Sequence, residues 1–165
     1  MSTMNVLICQ QPKELVWKQR EIPIPGDNEA LIKIKSVGIC GTDIHAWGGN
    51  QPFFSYPRVL GHEICGEIVG LGKNIADLKN GQQVAVIPYV ACQQCPACKS
   101  GRTNCCEKIS VIGVHQDGGF SEYLSVPVAN ILPADGIDPQ AAALIEPFAI
   151  SAHAVSYTHL TLPTT

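Results

Sequence analysis

Leu31-Ile-Lys-Ile-Lys-Ser-Val37 alternates apolar and polar side chains. An extended backbone would send one set to a core face and the other to water. Four further stretches have the length and the content of β-branched and aromatic residues expected of strands: Leu15 to Ile22, Ile64 to Val69, Val84 to Pro88 and Phe120 to Val126. Between them stand Pro25-Gly-Asp-Asn28, Gly72-Lys-Asn74 and Lys79-Asn-Gly81, combinations that reverse chain direction at little steric cost. Short strands at this spacing predict a mainly β chain, a barrel or sandwich with few short helices, over a parallel βαβ sheet. One helix is predicted late in the chain. Asp138 caps it, Pro139 suits its first position and Ala141-Ala-Ala-Leu-Ile-Glu146 carries it, with Pro147 expected to kink or interrupt it just after Glu146. The last ten residues, SYTHLTLPTT, abandon the helical period. The expected organisation is one domain over 1–155 and a non-native tail over 156–165.

Composition narrows the class. The 165 residues suit one domain with its own core, and 45% hydrophobic against 15% charged residues suits a globular chain and opposes disorder. The net charge of −3 comes with scattered basic residues, so no stripe announces nucleic acid or an anionic membrane as partner. No apolar run approaches the ~20 residues of a membrane span. The opening MSTMNVLICQQPKELVWK has neither the long apolar segment nor the small-residue cleavage site of a signal peptide. A cytoplasmic, reducing location is therefore expected, where clustered cysteines hold metal more often than they form disulfides.

Five of the eight cysteines stand between Cys92 and Cys106. Cys92, Cys95 and Cys98 form C-x2-C-x2-C, and two-residue gaps in a tight loop let successive sulfurs converge on one point. Pro96 stiffens the loop, Gly101 permits a return, and one of the adjacent Cys105 and Cys106 completes a tetrahedron; the spacing does not say which. Four thiolates leave no open coordination position, so such a zinc site builds structure and does not catalyse. Upstream, Cys40 and the pair His62-Glu63 offer a soft, a borderline and a hard ligand, with a fourth position free for water or substrate. Taken singly, Cys40 at a strand end is usually a small core residue, and His62-Glu63 is usually a solvated pair. Glu146 is either a fourth ligand or an exposed helix residue.

The segments GICGTDIH (38–45), GHEICGEIVGLG (61–72), the 92–106 cysteine lobe, GGFSEY (118–123) and LIEPFAISAHAV (144–155) together resemble the zinc-dependent medium-chain dehydrogenases. Within them the polyol and threonine dehydrogenase branch is most similar, with sugar-acid enzymes such as L-galactonate 5-dehydrogenase nearest. The resemblance implies a GroES-like β-barrel catalytic domain holding two zinc ions. A catalytic zinc would sit on Cys40, His62 and Glu63, with Glu146 nearby and exchanging with water. A structural zinc would sit on Cys92, Cys95, Cys98 and Cys106, leaving Cys105 out. Thr42 and His45 match a proton relay from the alcohol to solvent, and Asp43 matches the residue that orients the His62 imidazole. The implied activity is NAD- or NADP-dependent oxidation of an alcohol, polyol or sugar acid by a homo-oligomer.

That family follows the LIEPF helix with a Rossmann domain, and no G-x-G-x-x-G turn stands in these 165 residues. The expectation is therefore a catalytic-domain fragment that binds zinc and is inactive alone. The competing reading is a non-catalytic zinc-binding β-domain. Trp47, Phe53, Phe54 and Tyr56 are either pocket or packing residues, and Arg58 is either a carboxylate reader or a surface ion-pair partner.

Overall fold

In the computed structural model, residues 2–52 and 54–159 are described. Strands β1 (Thr3–Gln11), β2 (Glu14–Glu21) and β4 (Arg58–Val59) form one sheet in the order β2-β1-β4. Strands β3 (Glu29–Gly38), β5 (Glu63–Leu71), β6 (Gln83–Val86), β9 (Tyr123–Pro127) and β10 (Ile131–Pro133) form a second, in the order β10-β6-β5-β3-β9. A two-stranded ribbon joins β7 (Tyr89–Val90) to β8 (Ser110–Val111). Every ladder is antiparallel, and a bridge between Val6 and Ser121 ties the two large sheets together. The mainly β expectation holds.

Alternation decides which faces are buried. Along β3, Ala30 and Ile32 are buried while Lys33 and Lys35 face water. They meet Ile64 and Ile68 of β5, Val84 of β6 and Val126 of β9 in the main core. All five strands expected from the sequence are present, with ends shifted by a few residues; β1 was not foreseen. Its Met4, Val6 and Ile8 alternate with Thr3, Asn5 and Leu7, but the pattern sits within a terminal stretch that reads as an apolar run followed by charge.

Four helices occur among the described residues: α1 (Gly41–Gly48), α2 (Pro96–Lys99), α3 (Pro139–Ala143) and α4 (Ile145–His159). Asp138 caps α3 as expected, its carboxylate accepting from the backbone of Gln140 and Ala141. Small side chains let α3 lie close on the sheet: Ala142 and Ala143 pack against Cys65 and Ala85.

Two helix expectations need correction. The break falls at Leu144, before Glu146, and Pro147 sits in the first turn of α4. The missing N–H of a proline there costs nothing, because first-turn donors have no partner within the helix. Ser156 to His159, placed in the expected tail, continue α4, and the rest of that tail lies outside the described residues. None of α4 is buried. No helix among the described residues is long and apolar enough to cross a membrane.

Candidate metal centres

The β3–β5 register sets Gly38 opposite Glu63. Immediately after β3, Cys40 caps α1: its N–H donates to Asp43 Oδ2 at 2.9 Å, closing the first turn of a helix too short and glycine-rich to be announced by periodicity. The other carboxylate oxygen of Asp43 accepts the Gly61 N–H at 2.9 Å. Gly61 has φ +89 and presses against Phe120, where a Cβ would come within 2.8 Å of the ring. One buried carboxylate thus ties the start of α1 to the loop that delivers His62 and Glu63.

The result is convergence. The Cys40 sulfur, an imidazole nitrogen of His62 and a carboxylate oxygen of Glu63 all lie within 4.8 Å of one another. His62 and Glu63 are buried, and Cys40 is half-buried. His62 Nδ1 is buried without a hydrogen-bond partner, 3.8 Å from Asp43 Oδ1. Among the described residues Glu63 enters no ion pair with a lysine or arginine. A buried carboxylate without a protein cation, beside an imidazole and a thiol, is a donor set that a divalent ion completes. Zinc fits these residues.

Thr42 Oγ1 lies 3.8 Å from the Cys40 sulfur, and His45, three residues along α1, is exposed. Glu146 is not in the three-residue cluster. Its Oε1 accepts the Tyr89 hydroxyl at 2.5 Å. Burial first, then the Glu146 bond and charge, then the Cys40 charge, drive the Tyr89 phenol well above its ordinary range, so it stays protonated. Nothing local in the sequence singles out Tyr89, because its partner is 57 residues away.

The aromatic candidates resolve mainly as packing. Phe54 and Tyr56 meet edge to face, with ring centroids 4.9 Å apart, and pack against Cys9, Ala46 and Leu60; the Tyr56 hydroxyl donates to the Ala46 carbonyl. Trp47 lines an almost wholly apolar cavity of about 290 Å³ beside α1. Phe53 lies outside the described residues. Arg58 is engaged by Asp117 at 3.5 Å and by Ser55 at 3.0 Å.

The second centre hangs from the β7–β8 ribbon. The sulfurs of Cys92, Cys95, Cys98 and Cys106 lie within 4.8 Å of one another, while Cys105 is exposed at the end of a 3-10 turn. Backbone donors already point at the cage: Cys92 and Lys108 N–H at Cys106 Sγ, 3.3 and 3.4 Å away, and Cys95 N–H at Cys92 Sγ, 3.4 Å away. Backbone N–H groups of Gln94 and Cys95 bring the Cys92 thiol down to about 6, and similar donors from Cys98 and Glu107 lower Cys95. Cys98 is pushed up to about 12, by burial first and then by its thiol neighbours. A cage prepared for negative sulfur, yet unable to carry four charges by itself, suits a thiophilic cation.

The sequence from residue 26 to 136 matches the family described as the alcohol dehydrogenase GroES-like domain. The chain belongs to this family. An uncharacterised zinc-type alcohol dehydrogenase-like protein of Haemophilus influenzae is 44% identical over 160 residues, which are 95% of this chain and 46% of that protein. An L-threonine 3-dehydrogenase of Legionella pneumophila is 38% identical over 156 residues, 91% of this chain and 46% of that enzyme. Among solved structures, a short chain alcohol dehydrogenase (rspB) from E. coli CFT073, complexed with cofactor NADH, superposes with a TM-score of 0.89 at 40% identity, covering 95% of this chain and 46% of that one. The chain therefore spans a little under half the length of the curated relatives it matches. In this GroES-like alcohol dehydrogenase domain four cysteines are gathered and Cys105 stands exposed beside them.

That surplus thiol yields a test. In the zinc-loaded chain Cys105 is expected to alkylate first, as read by peptide mass spectrometry. Burial raises Cys9 and Cys65, which therefore carry less reactive thiolate at neutral pH. Fast labelling of Cys9 or Cys65 in the folded chain would contradict this placement.

Proposed function

We propose that this chain is the metal-holding catalytic portion of an NAD(P)-dependent dehydrogenase that oxidises a secondary alcohol on a small polyol or sugar acid. The observation that carries the reading is the convergence of three unlike donors, Cys40, His62 and Glu63, beside the Thr42 hydroxyl. Bound zinc would supply a Lewis acid for the alcohol oxygen, and NAD(P) the hydride acceptor. The chain's own residues do the rest. Cys40, His62 and Glu63 hold the ion, with Asp43 fixing the two segments that present them. Thr42 takes the alcohol proton as its own moves on to His45, whose exposure lets it deliver that proton to water. α1 thus carries the alcohol proton out to solvent, and a ketone would remain once the bound acceptor had taken the hydride. Phe148 and Val155 of α4, both more than half exposed, stand two turns apart on one helix face, an apolar surface of the kind a cofactor-binding portion would cover.

Purified 165-residue chain is expected to hold two equivalents of zinc and to show negligible NAD(P) reduction with a panel of polyols and sugar acids. The same chain joined to the cofactor-binding portion of an NAD(P)-dependent relative is expected to gain the activity. Metal analysis and absorbance of the reduced nicotinamide measure both. One equivalent, confined to the cysteine lobe, would favour a non-catalytic zinc-binding β-domain. Robust turnover by the 165 residues alone would overturn the division of labour.

A further inference from the structure

We infer that the free edge of β2 is a self-association surface, on which a second copy of this chain lays its own β2 antiparallel with Trp17 at the twofold axis.

The edge is open. β2 is the outermost strand of the β2-β1-β4 sheet, and among the described residues no backbone group of Glu14–Glu21 bonds outside the β1–β2 ladder. An eight-residue edge pairs readily with another strand, and chains that avoid this blunt it with a proline, a bulge or an outward lysine. β2 holds no proline, and the one irregularity of the hairpin falls on β1, between Cys9 and Gln11. Lys18 leans back to donate to Gln10 Oε1 at 2.7 Å. The tip of the hairpin is held in place, because the Lys13 N–H donates to the Trp47 carbonyl at the end of α1, at 2.6 Å.

The side chains say what fits this edge. Val16, Lys18 and Arg20 stand opposite Ile8, Val6 and Met4 on the face that carries the core. Leu15 and Trp17 stand on the other face, 45% and 71% exposed. Two edges joined about a twofold axis continue one sheet only if each residue meets another of its own face. Of the registers that do so, the one centred on Lys18 sets that ammonium against its own copy. The one centred on Val16 runs Arg20 onto Pro12, ahead of the other strand. Centring on Trp17 sets indole against indole, Lys13 opposite Glu21, and Glu14 opposite Arg20.

This register also answers charges that the single chain leaves over. Lys13, Glu14 and Glu21 enter no ion pair among the described residues. Arg20 reaches Asp117 through one terminal nitrogen and has further donors to spare. Cross-strand aromatic and opposite-charge pairs are the contacts that stabilise an antiparallel junction. α4 rests on β5 and β6 of the other sheet, so the apolar face it offers is a different surface from this edge.

The test is sedimentation equilibrium of the zinc-loaded 165-residue chain. A junction of one strand pair is small, so a dimer with a dissociation constant on the order of 10 µM is expected. Lys13→Glu and Glu21→Lys each place like charges across both ends of the junction, and each variant alone should associate roughly tenfold more weakly. Mixed in equal amounts, the two variants should recover the unmodified strength as a heterodimer, because every charge at positions 13 and 21 then meets its opposite. A chain that stays monomeric throughout would overturn the assignment and leave the edge to another occupant. A dimer indifferent to both charge reversals would also overturn it, placing the contact elsewhere, as on α4. So would a mixture no stronger than its components, since the Trp17-centred register pairs these two positions.

Discussion

A Gly38→Ala chain is expected to keep one equivalent of zinc instead of two, losing the ion at the Cys40 centre while the cysteine lobe stays loaded. The antiparallel register sets residue 38 directly across from Glu63. A Cβ built at 38 falls 1.9 Å from Glu63 Oε2 and 3.0 Å from both Cβ and Cδ of that side chain. The smallest possible addition therefore occupies the space the Glu63 carboxylate fills. Because the clash is with the end of a side chain, Glu63 can rotate away and the strands can stay paired. The cost to folding should remain within about 1–3 kcal/mol, the usual range for overpacking. Metal affinity suffers more, because a carboxylate moved off the convergence point is a ligand lost. Zinc binding at this centre should weaken by roughly 100-fold or more, beyond the upper range seen when a supporting residue is removed. Metal analysis after dialysis against a weak chelator reads the stoichiometry, and two retained equivalents would show that Glu63 is not a ligand.

Replacing Cys95 or Cys106 by serine should have the complementary effect: the lobe ion is lost, and the segment between β7 and β8 opens while the barrel stays folded. The reason is what this lobe lacks. Its buried cluster consists of Cys95, Cys98 and Cys106, backed by Ala91, Cys92, Ala97 and Ile109, so Ile109 is its only large apolar side chain. Such a cluster cannot hold some fifteen residues in shape by burial, and coordination must supply the rest; structural zinc contributes on the order of 10 kcal/mol in small zinc-dependent modules. Lys99, Arg102 and Lys108 are exposed within the lobe and report its opening to trypsin. Cleavage there should accelerate by roughly tenfold or more, which needs only about 1.4 kcal/mol of lost local protection. Equal cleavage of the unmodified and serine chains, with equal zinc content, would defeat the assignment. Loss of the whole fold would show that the barrel depends on the lobe, against the independence of its main core.

The parts of this molecule that the sequence announced are those whose physics is local. The C-x2-C-x2-C spacing brings three sulfurs together through a few backbone dihedrals, and the alternation in Leu31 to Val37 needs only an extended backbone to sort its faces. The cap at Asp138 reads from the next three residues. Short-range signals also misled. Pro147 was expected to kink or interrupt a helix, but a proline's effect depends on which turn it occupies, and the break at Leu144 put it in the first. α1 has no periodic stripe and exists because Asp43 bonds both Cys40 and Gly61, the latter 18 residues on.

By itself, then, the sequence determined the mainly β class and, by spacing, a sulfur cluster to within one cysteine; family resemblance pointed to Cys106 and to the three residues that converge at the second centre. Only the tertiary structure decided that Gly38 stands against Glu63 and that Glu146 is held by Tyr89, and it buries Cys106 while Cys105 faces water. Each of these is a contact between residues that strand register or helix docking brings together. Register is a property of the whole buried core, and no window of neighbouring residues contains it.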